Sequence, residues 1–145
     1  MYTKEMMLNK PDRISENVLK TLSPTALSFI GDSVYELQIR LRTLEKGNRR
    51  AAKLNSEKVS KVNAKAQAEI MEKISVLLTE EEKSVYRRGK NAKQRSTAKN
   101  QSIADYHKAS GFEALMGYLY LKGEDDRIAL LIDTGLSDKE SDENE

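Results

Sequence analysis

No stretch of this 145-residue sequence alternates apolar and polar residues with a period of two for long; its apolar residues step by three and four. Only two prolines and seven glycines interrupt the pattern, so helices can run long. The periodicity predicts an all-α fold of six or seven helices with no internal repeat. A first helix is expected from about Arg13 to Leu22. Ser23-Pro24 is a start signal, Ser as N-cap and Pro in the first turn, for a helix reaching Glu45 through Leu27, Ile30, Val34, Leu37 and Leu41. Gly47-Asn48 breaks it. A third helix is expected from Lys53 to Leu78, with Val59, Val62, Ala66, Ile70, Ile74 and Leu77 on one face. Thr79 and Glu82 form a capping box for a helix to Arg88, with three Glu in its first turn. Gly89 to Asn100 reads as a basic loop. A short helix over Ser102–Lys108 follows, then another opening at Ser110 or Gly111 and ending at Gly123. A last helix over Glu124–Thr134 is stopped by Gly135.

The length suits one domain, residues 1–136, and is enough to bury a core without staples. Residues 137–145, SDKESDENE, are acidic and lack apolar side chains, so they read as a disordered tail. The absence of Cys removes disulfides, thiolate zinc sites and cysteine nucleophiles. A single His, His107, excludes a His-rich metal site; it reads as an ordinary helix-end residue rather than a general base. No apolar run approaches the roughly 20 residues that span a bilayer, and MYTKEMMLNKPDR has no apolar core of a signal peptide. A soluble, cytoplasmic protein with no membrane partner is expected.

The formal net charge of +2 hides a division. Residues 1–123 carry 23 Lys/Arg against 14 Asp/Glu, and residues 124–145 carry 2 against 9. Arg40 to Lys61 holds eight Lys/Arg and two Glu. Lys83 to Lys99 holds seven Lys/Arg and no acid. A basic body with two such clusters points to a polyanion, nucleic acid above all.

Two carboxylates stand where charge is otherwise excluded. Thr21 to Tyr35 contains one charged residue in fifteen, Asp32; Ala109 to Leu121 contains one in thirteen, Glu113. A carboxylate in a core-like helix needs a cationic side chain, a hydrogen-bond network or a metal ion. Gly31 precedes Asp32, and Gly117 lies one turn after Glu113. A mid-helix glycine costs about 1 kcal/mol relative to Ala, and close approach of another backbone is a common reason for one. If the two helices cross at these glycines, the carboxylates converge. Paired carboxylates with phosphate oxygens suit Mg²⁺, which supports phosphodiester hydrolysis. Two independent buried salt bridges are the competing reading. Tyr35, Tyr118 and Tyr120 read as core or interface residues, and Tyr86, beside the basic loop, as a packing residue.

Phe29-Ile30-Gly31-Asp32-Ser33-Val34 resembles the signature helix of the ribonuclease III catalytic domain, and Gly111-Phe112-Glu113-Ala114-Leu115-Met116-Gly117 resembles its second catalytic helix. Arg88-Gly89-Lys90-Asn91-Ala92-Lys93, Lys99-Asn100 and Ala64-Lys65-Ala66-Gln67-Ala68 resemble features of the small bacterial branch, mini-ribonuclease III, which has the catalytic domain without an appended double-stranded-RNA-binding domain. The resemblance covers about Leu22 to Leu136. It implies a ribonuclease III-like helical bundle that dimerises and cuts both strands of duplex RNA with Mg²⁺ (Mn²⁺ as a substitute), leaving 5′-phosphate and 3′-hydroxyl ends. It also implies a role in maturing large-subunit ribosomal RNA precursor, with a ribosomal protein as a further partner. Asp32 and Glu113 fall on the catalytic, metal-binding carboxylates. Ser28 and Ser110 stand where the larger enzymes place two further carboxylates, so the resemblance implies two carboxylates per site here instead of four.

The basic loop gains a role in this frame. A-form RNA is held by shape, through phosphates and 2′-hydroxyls, and Lys and Arg supply such contacts without reading sequence. Arg87, Arg88, Lys90, Lys93, Arg95 and Lys99 are the expected RNA-binding residues. The competing readings are a non-catalytic duplex-RNA-binding or ribosome-assembly factor on the same fold, and a helical protein-interaction adaptor anchored by Tyr118 and Tyr120.

Overall fold

The expected crossing of two glycine-bearing helices is the centre of the molecule. The computed structural model describes residues 12–92 and 102–137. Seven α-helices occur among them: α1 (Glu16–Thr21), α2 (Pro24–Glu45), α3 (Ala51–Val62), α4 (Ala64–Ile74), α5 (Glu80–Asn91), α6 (Ile103–Leu121) and α7 (Asp125–Leu136), with a 3-10 turn at Ser75–Leu77 after α4. No strand occurs among the described residues.

α6 is the central helix. Ala109 to Phe112, Ala114 to Gly117 and Leu119 are all buried, and a helix apolar all round belongs in a core. α2, α4, α5 and α7 surround it. The main core joins Val34, Tyr35 and Ile39 of α2, Ile70, Met71 and Ile74 of α4, Phe112, Leu115, Met116 and Leu119 of α6, and Ile128, Leu131 and Ile132 of α7. Tyr35 meets Phe112 edge-on, with ring centroids 5.1 Å apart.

The α2–α6 crossing is made of backbone. A Cβ on Gly31 would lie 1.7 Å from the carbonyl oxygen of Glu113, and one on Gly117 would lie 2.0 Å from that of Leu27. Each glycine thus admits the partner helix one turn from the other, and only a residue without Cβ fits at either place.

Four boundaries differ from the sequence expectation, each for a packing or capping reason. The single helix over Lys53–Leu78 is two, α3 and α4. Asn63 breaks it: its side chain accepts from the Ala66 N–H and donates to the carbonyls of Val59 and Ser60, closing one helix and capping the next. Conversely, Ser102–Lys108 and the helix expected to open at Ser110 or Gly111 are one continuous α6. Ser110 and Gly111 stay helical because both are buried, Gly111 under the Tyr86 ring. Gly89 and Gly135 do not end helices either. Gly89 packs in α5 against Ala114 and Gly111, and Gly135 packs in α7 against Ile70. The N-caps at Ser23 and the capping box of Thr79 and Glu82 form as expected. The acidic tail beyond Ser137 lies outside the described residues.

Candidate active site

Gly31 places Asp32 beside the α6 backbone at Glu113, so the crossing that buries Leu27 and Met116 also brings the two carboxyls together. Asp32 is exposed and Glu113 half-buried, so the pair sits at the rim of the core. Burial, a hydrogen bond with Asp32 and the Asp32 charge push the Glu113 carboxyl up to about 8, against a weaker opposing hydrogen bond from the Gln67 side chain. Neither partner is a cation. The competing reading of two independent salt bridges therefore does not describe this pair, for among the described residues no ion pair involves Asp32 or Glu113.

Two hard oxygen donors facing each other at a solvent-reached rim fit a divalent cation. A cation held there by Asp32 and Glu113 would take the place of the proton that burial and the Asp32 charge favour on Glu113. Among the described residues no group of three or more His, Asp or Glu could hold a metal, so the site offers two carboxylates and not four. Ser28 and Ser110 lie at this crossing, but the Ser28 hydroxyl donates to the Ser110 carbonyl oxygen at 2.9 Å and Ser110 is buried. They knit α2 to α6.

Gln67 is the residue that sequence reasoning missed. It lies on α4, is 2% exposed, and its amide donates to the Val62 carbonyl at 2.9 Å as well as reaching Glu113. A signal existed: Ala64, Gln67, Ala68, Met71 and Ile74 form a stripe stepping by three and four, and Gln67 is its polar member.

Of the expected RNA-binding residues, Arg87, Arg88 and Lys90 lie exposed near the end of α5, around the buried Gly89, and no ion pair engages them among the described residues. Lys93, Arg95 and Lys99 lie outside the described residues. The first basic cluster is largely neutralised. Arg40 pairs with Glu36, Arg42 with Asp133, Arg49 and Lys46 with Glu57, and Lys58 approaches Glu36. His107 lies within α6, partly buried and edge-on to Tyr106. The Tyr118 hydroxyl donates to Glu81, while Tyr120 lies beneath Arg13.

Comparison with known proteins agrees with this fold. Residues 25–124 match the ribonuclease III domain model. The chain is 43% identical over 132 residues to mini-ribonuclease 3 of a Thermoanaerobacter species, covering 90% of this chain and 93% of that protein. It is 41% identical over 115 residues to mini-ribonuclease 3 of Enterococcus faecalis, covering 78% and 87%. The crystal structure of a Fusobacterium nucleatum protein superposes with a TM-score of 0.76 at 32% identity, covering 84% of this chain and 98% of that one. The chain belongs to the ribonuclease III family, in its mini-ribonuclease III branch. It is an endoribonuclease. No helix among the described residues is long and apolar enough to cross a membrane.

Proposed function

We propose that the chain is a Mg²⁺-dependent homodimeric endonuclease that cuts duplex RNA in large-subunit ribosomal RNA precursor. The observation that carries the reading is the convergence of Asp32 and Glu113 at the Gly31–Gly117 crossing. Both carboxylates hold the cation, with Mn²⁺ as a substitute. Bound there, Mg²⁺ supplies a nucleophile at neutral pH and neutralises the charge that develops on the phosphate during hydrolysis. Asp32, being exposed, faces the incoming phosphodiester, while Glu113 anchors the pair in the core. Arg87, Arg88 and Lys90, with Lys93, Arg95 and Lys99 in the following segment, neutralise phosphates of the duplex, so binding weakens steeply with salt.

The described residues carry one such site, and cutting both strands takes two. α2 itself supports pairing with a second copy. Phe29 is 81% exposed three residues before Asp32, and Leu37, Leu41 and Leu44 extend an exposed apolar line along the same helix. Pairing through this face would set two carboxylate pairs close to one interface.

Cleavage of end-labelled duplex RNA with Mg²⁺, wild type beside Asp32→Asn, tests the reading. Cleavage by the wild type alone is expected, and equal cleavage by the variant overturns the assignment. Duplex binding without cleavage by the wild type, on a ribosomal RNA precursor as well, would return the chain to the non-catalytic binding factor.

A further inference from the structure

The basic end of α5 divides in the structure. Arg88 and Lys90 flank the buried Gly89, and at about 100° per residue they leave the helix on nearly opposite sides. Arg88 lines a cleft of about 340 Å³ between α1, α2, α5 and α6, and Lys90 does not.

The cleft has an apolar floor and a charged rim. Leu19 of α1, Leu27 of α2 and Val85 of α5 make the floor, and all three are buried in one core cluster with Ala114. Lys20 of α1 and Lys122, at the end of α6, join Arg88 on the rim. Three cations that are far apart in sequence thus meet at one concavity. Two acids share the rim without cancelling them. Glu16 approaches Lys20 at 3.8 Å, but the two side chains are 73% and 71% exposed, and solvent screens such a pair to little. Glu81 accepts from the Tyr118 hydroxyl and pairs with Lys122 at 3.3 Å, so its carboxylate is already shared. No ion pair engages Arg88 among the described residues. Positive charge therefore remains over a floor of low dielectric, and such a cleft focuses its field on an anion. The guanidinium offers a fork of donors that matches phosphate oxygens, and the lysines add point charges beside it.

The position suits the reaction. Leu27 belongs to the helix that carries Asp32, about 7.5 Å from it along the axis. Ala114, packed in the same cluster as the floor, adjoins Glu113 on α6.

We propose that this cleft is a phosphate-holding subsite, in which Lys20, Arg88 and Lys122 take one backbone phosphate of duplex RNA away from the scissile bond. The inference rests on the duplex-cleaving reading above. It brings Lys20 and Lys122, which lie outside both basic clusters of the sequence, into substrate binding. It also separates Arg88 from Lys90, which serves a different part of the RNA. The subsite holds and orients the duplex and takes no part in breaking the bond.

The test is binding of an end-labelled RNA duplex to the full chain in EDTA, where nothing is cut, over a series of salt concentrations. Lys20→Gln with Lys122→Gln is compared with the charge-matched Lys53→Gln with Lys65→Gln, exposed lysines of α3 and α4. The cleft pair is expected to lower the salt slope by about 1, one phosphate contact, and the affinity by about 10-fold at about 0.1 M salt, while the control pair loses less. Wild-type affinity and slope in the cleft pair overturn the inference. An equal loss in the control pair does so too, since it would mean general attraction only. Arg87→Ala with Lys90→Ala separates the two readings: if it weakens binding and the cleft pair does not, the cleft alone has failed. If the wild type binds no duplex, the reading beneath it has failed as well. Should the cleft pair not fold, the backbone amide resonances of Lys20 and Lys122 in the wild type carry the test. They shift when duplex is added, and unmoved resonances overturn the subsite.

Discussion

Glu82 and Glu113 are two glutamates turned into the same small core, and they are held in opposite ways. Glu82 begins α5. Burial pushes its carboxyl up, but two bonds from Arg127, at 2.9 and 2.8 Å, and the Thr79 N–H outweigh that and hold it below the usual carboxylate range. Glu113 receives burial without such compensation. Its neighbours are another carboxylate and an uncharged amide, and its carboxyl is pushed up to about 8. The chain evidently can provide a cation to a buried glutamate, as Arg127 shows, and does not do so at Glu113. Paired charge is how the fold treats a carboxylate that serves structure. A carboxylate left facing its own kind suits a ligand that brings positive charge with it, the role proposed above for Glu113.

The contrast breaks or holds on measurable differences. The largest is catalytic: Glu113→Gln should lower duplex cleavage by at least about 100-fold, judged against the 10–100-fold that supporting groups around metals contribute, whereas Glu82→Gln should leave kcat near the wild type. A cleavage assay with both variants checks this, and equal losses would dissolve the distinction. The next difference is in stability. Glu82→Gln leaves Arg127 without its carboxylate and removes one half of a capping box, so a loss of about 2 kcal/mol is expected in thermal unfolding. Glu113→Gln, measured in EDTA, should cost nothing at neutral pH.

The pH dependence sharpens this further, because the two signs are opposite. Glu82 has its folded-state pKa lowered, so it contributes stability above the unfolded value of about 4.3, lost as pH falls through the folded value. Glu113 has its folded-state pKa raised to about 8, so without metal it penalises the fold once pH exceeds about 4.3, increasingly up to 8. Melting curves from pH 3 to 9 in EDTA should therefore show Glu82→Gln falling below the wild type as pH rises, and Glu113→Gln rising above it. Curves of the same sign would mean that the environments differ less than the geometry indicates. The smallest effect concerns α5 beyond Glu82. Arg88→Ala with Lys90→Ala should weaken duplex binding and reduce its salt slope by about 2, near one per phosphate contact; an unchanged slope places the RNA elsewhere.

Much of this was legible before any coordinate. Asp32 and Glu113 stood out because charge is scarce around them, and Gly31 and Gly117 because a mid-helix glycine needs a reason. The crossing supplies that reason for both pairs at once. Gln67 escaped because its helix begins at Asn63. Read as one helix from Lys53, the stripe was phased on Ala66, while the break moves the buried face to Ala64, Gln67 and Ala68. Bonds between side chains far apart in sequence were equally hidden. Arg42 meets Asp133, and Arg127 meets Glu82, only after the helices have assembled. The first basic cluster looked like a polyanion surface for that reason, since composition counts the charges but not the acids folded against them.

The spacing of the two carboxylates is set by main chain touching main chain at Gly31 and Gly117, and not by any adjustable side chain. That contact works as a mechanical stop. Rotamers elsewhere can rearrange while the gauge of the gap stays the same. The same stop makes the chain intolerant in one narrow sense: a lone methyl group added at either glycine would open the jaw, and no compensating change nearby could close it again.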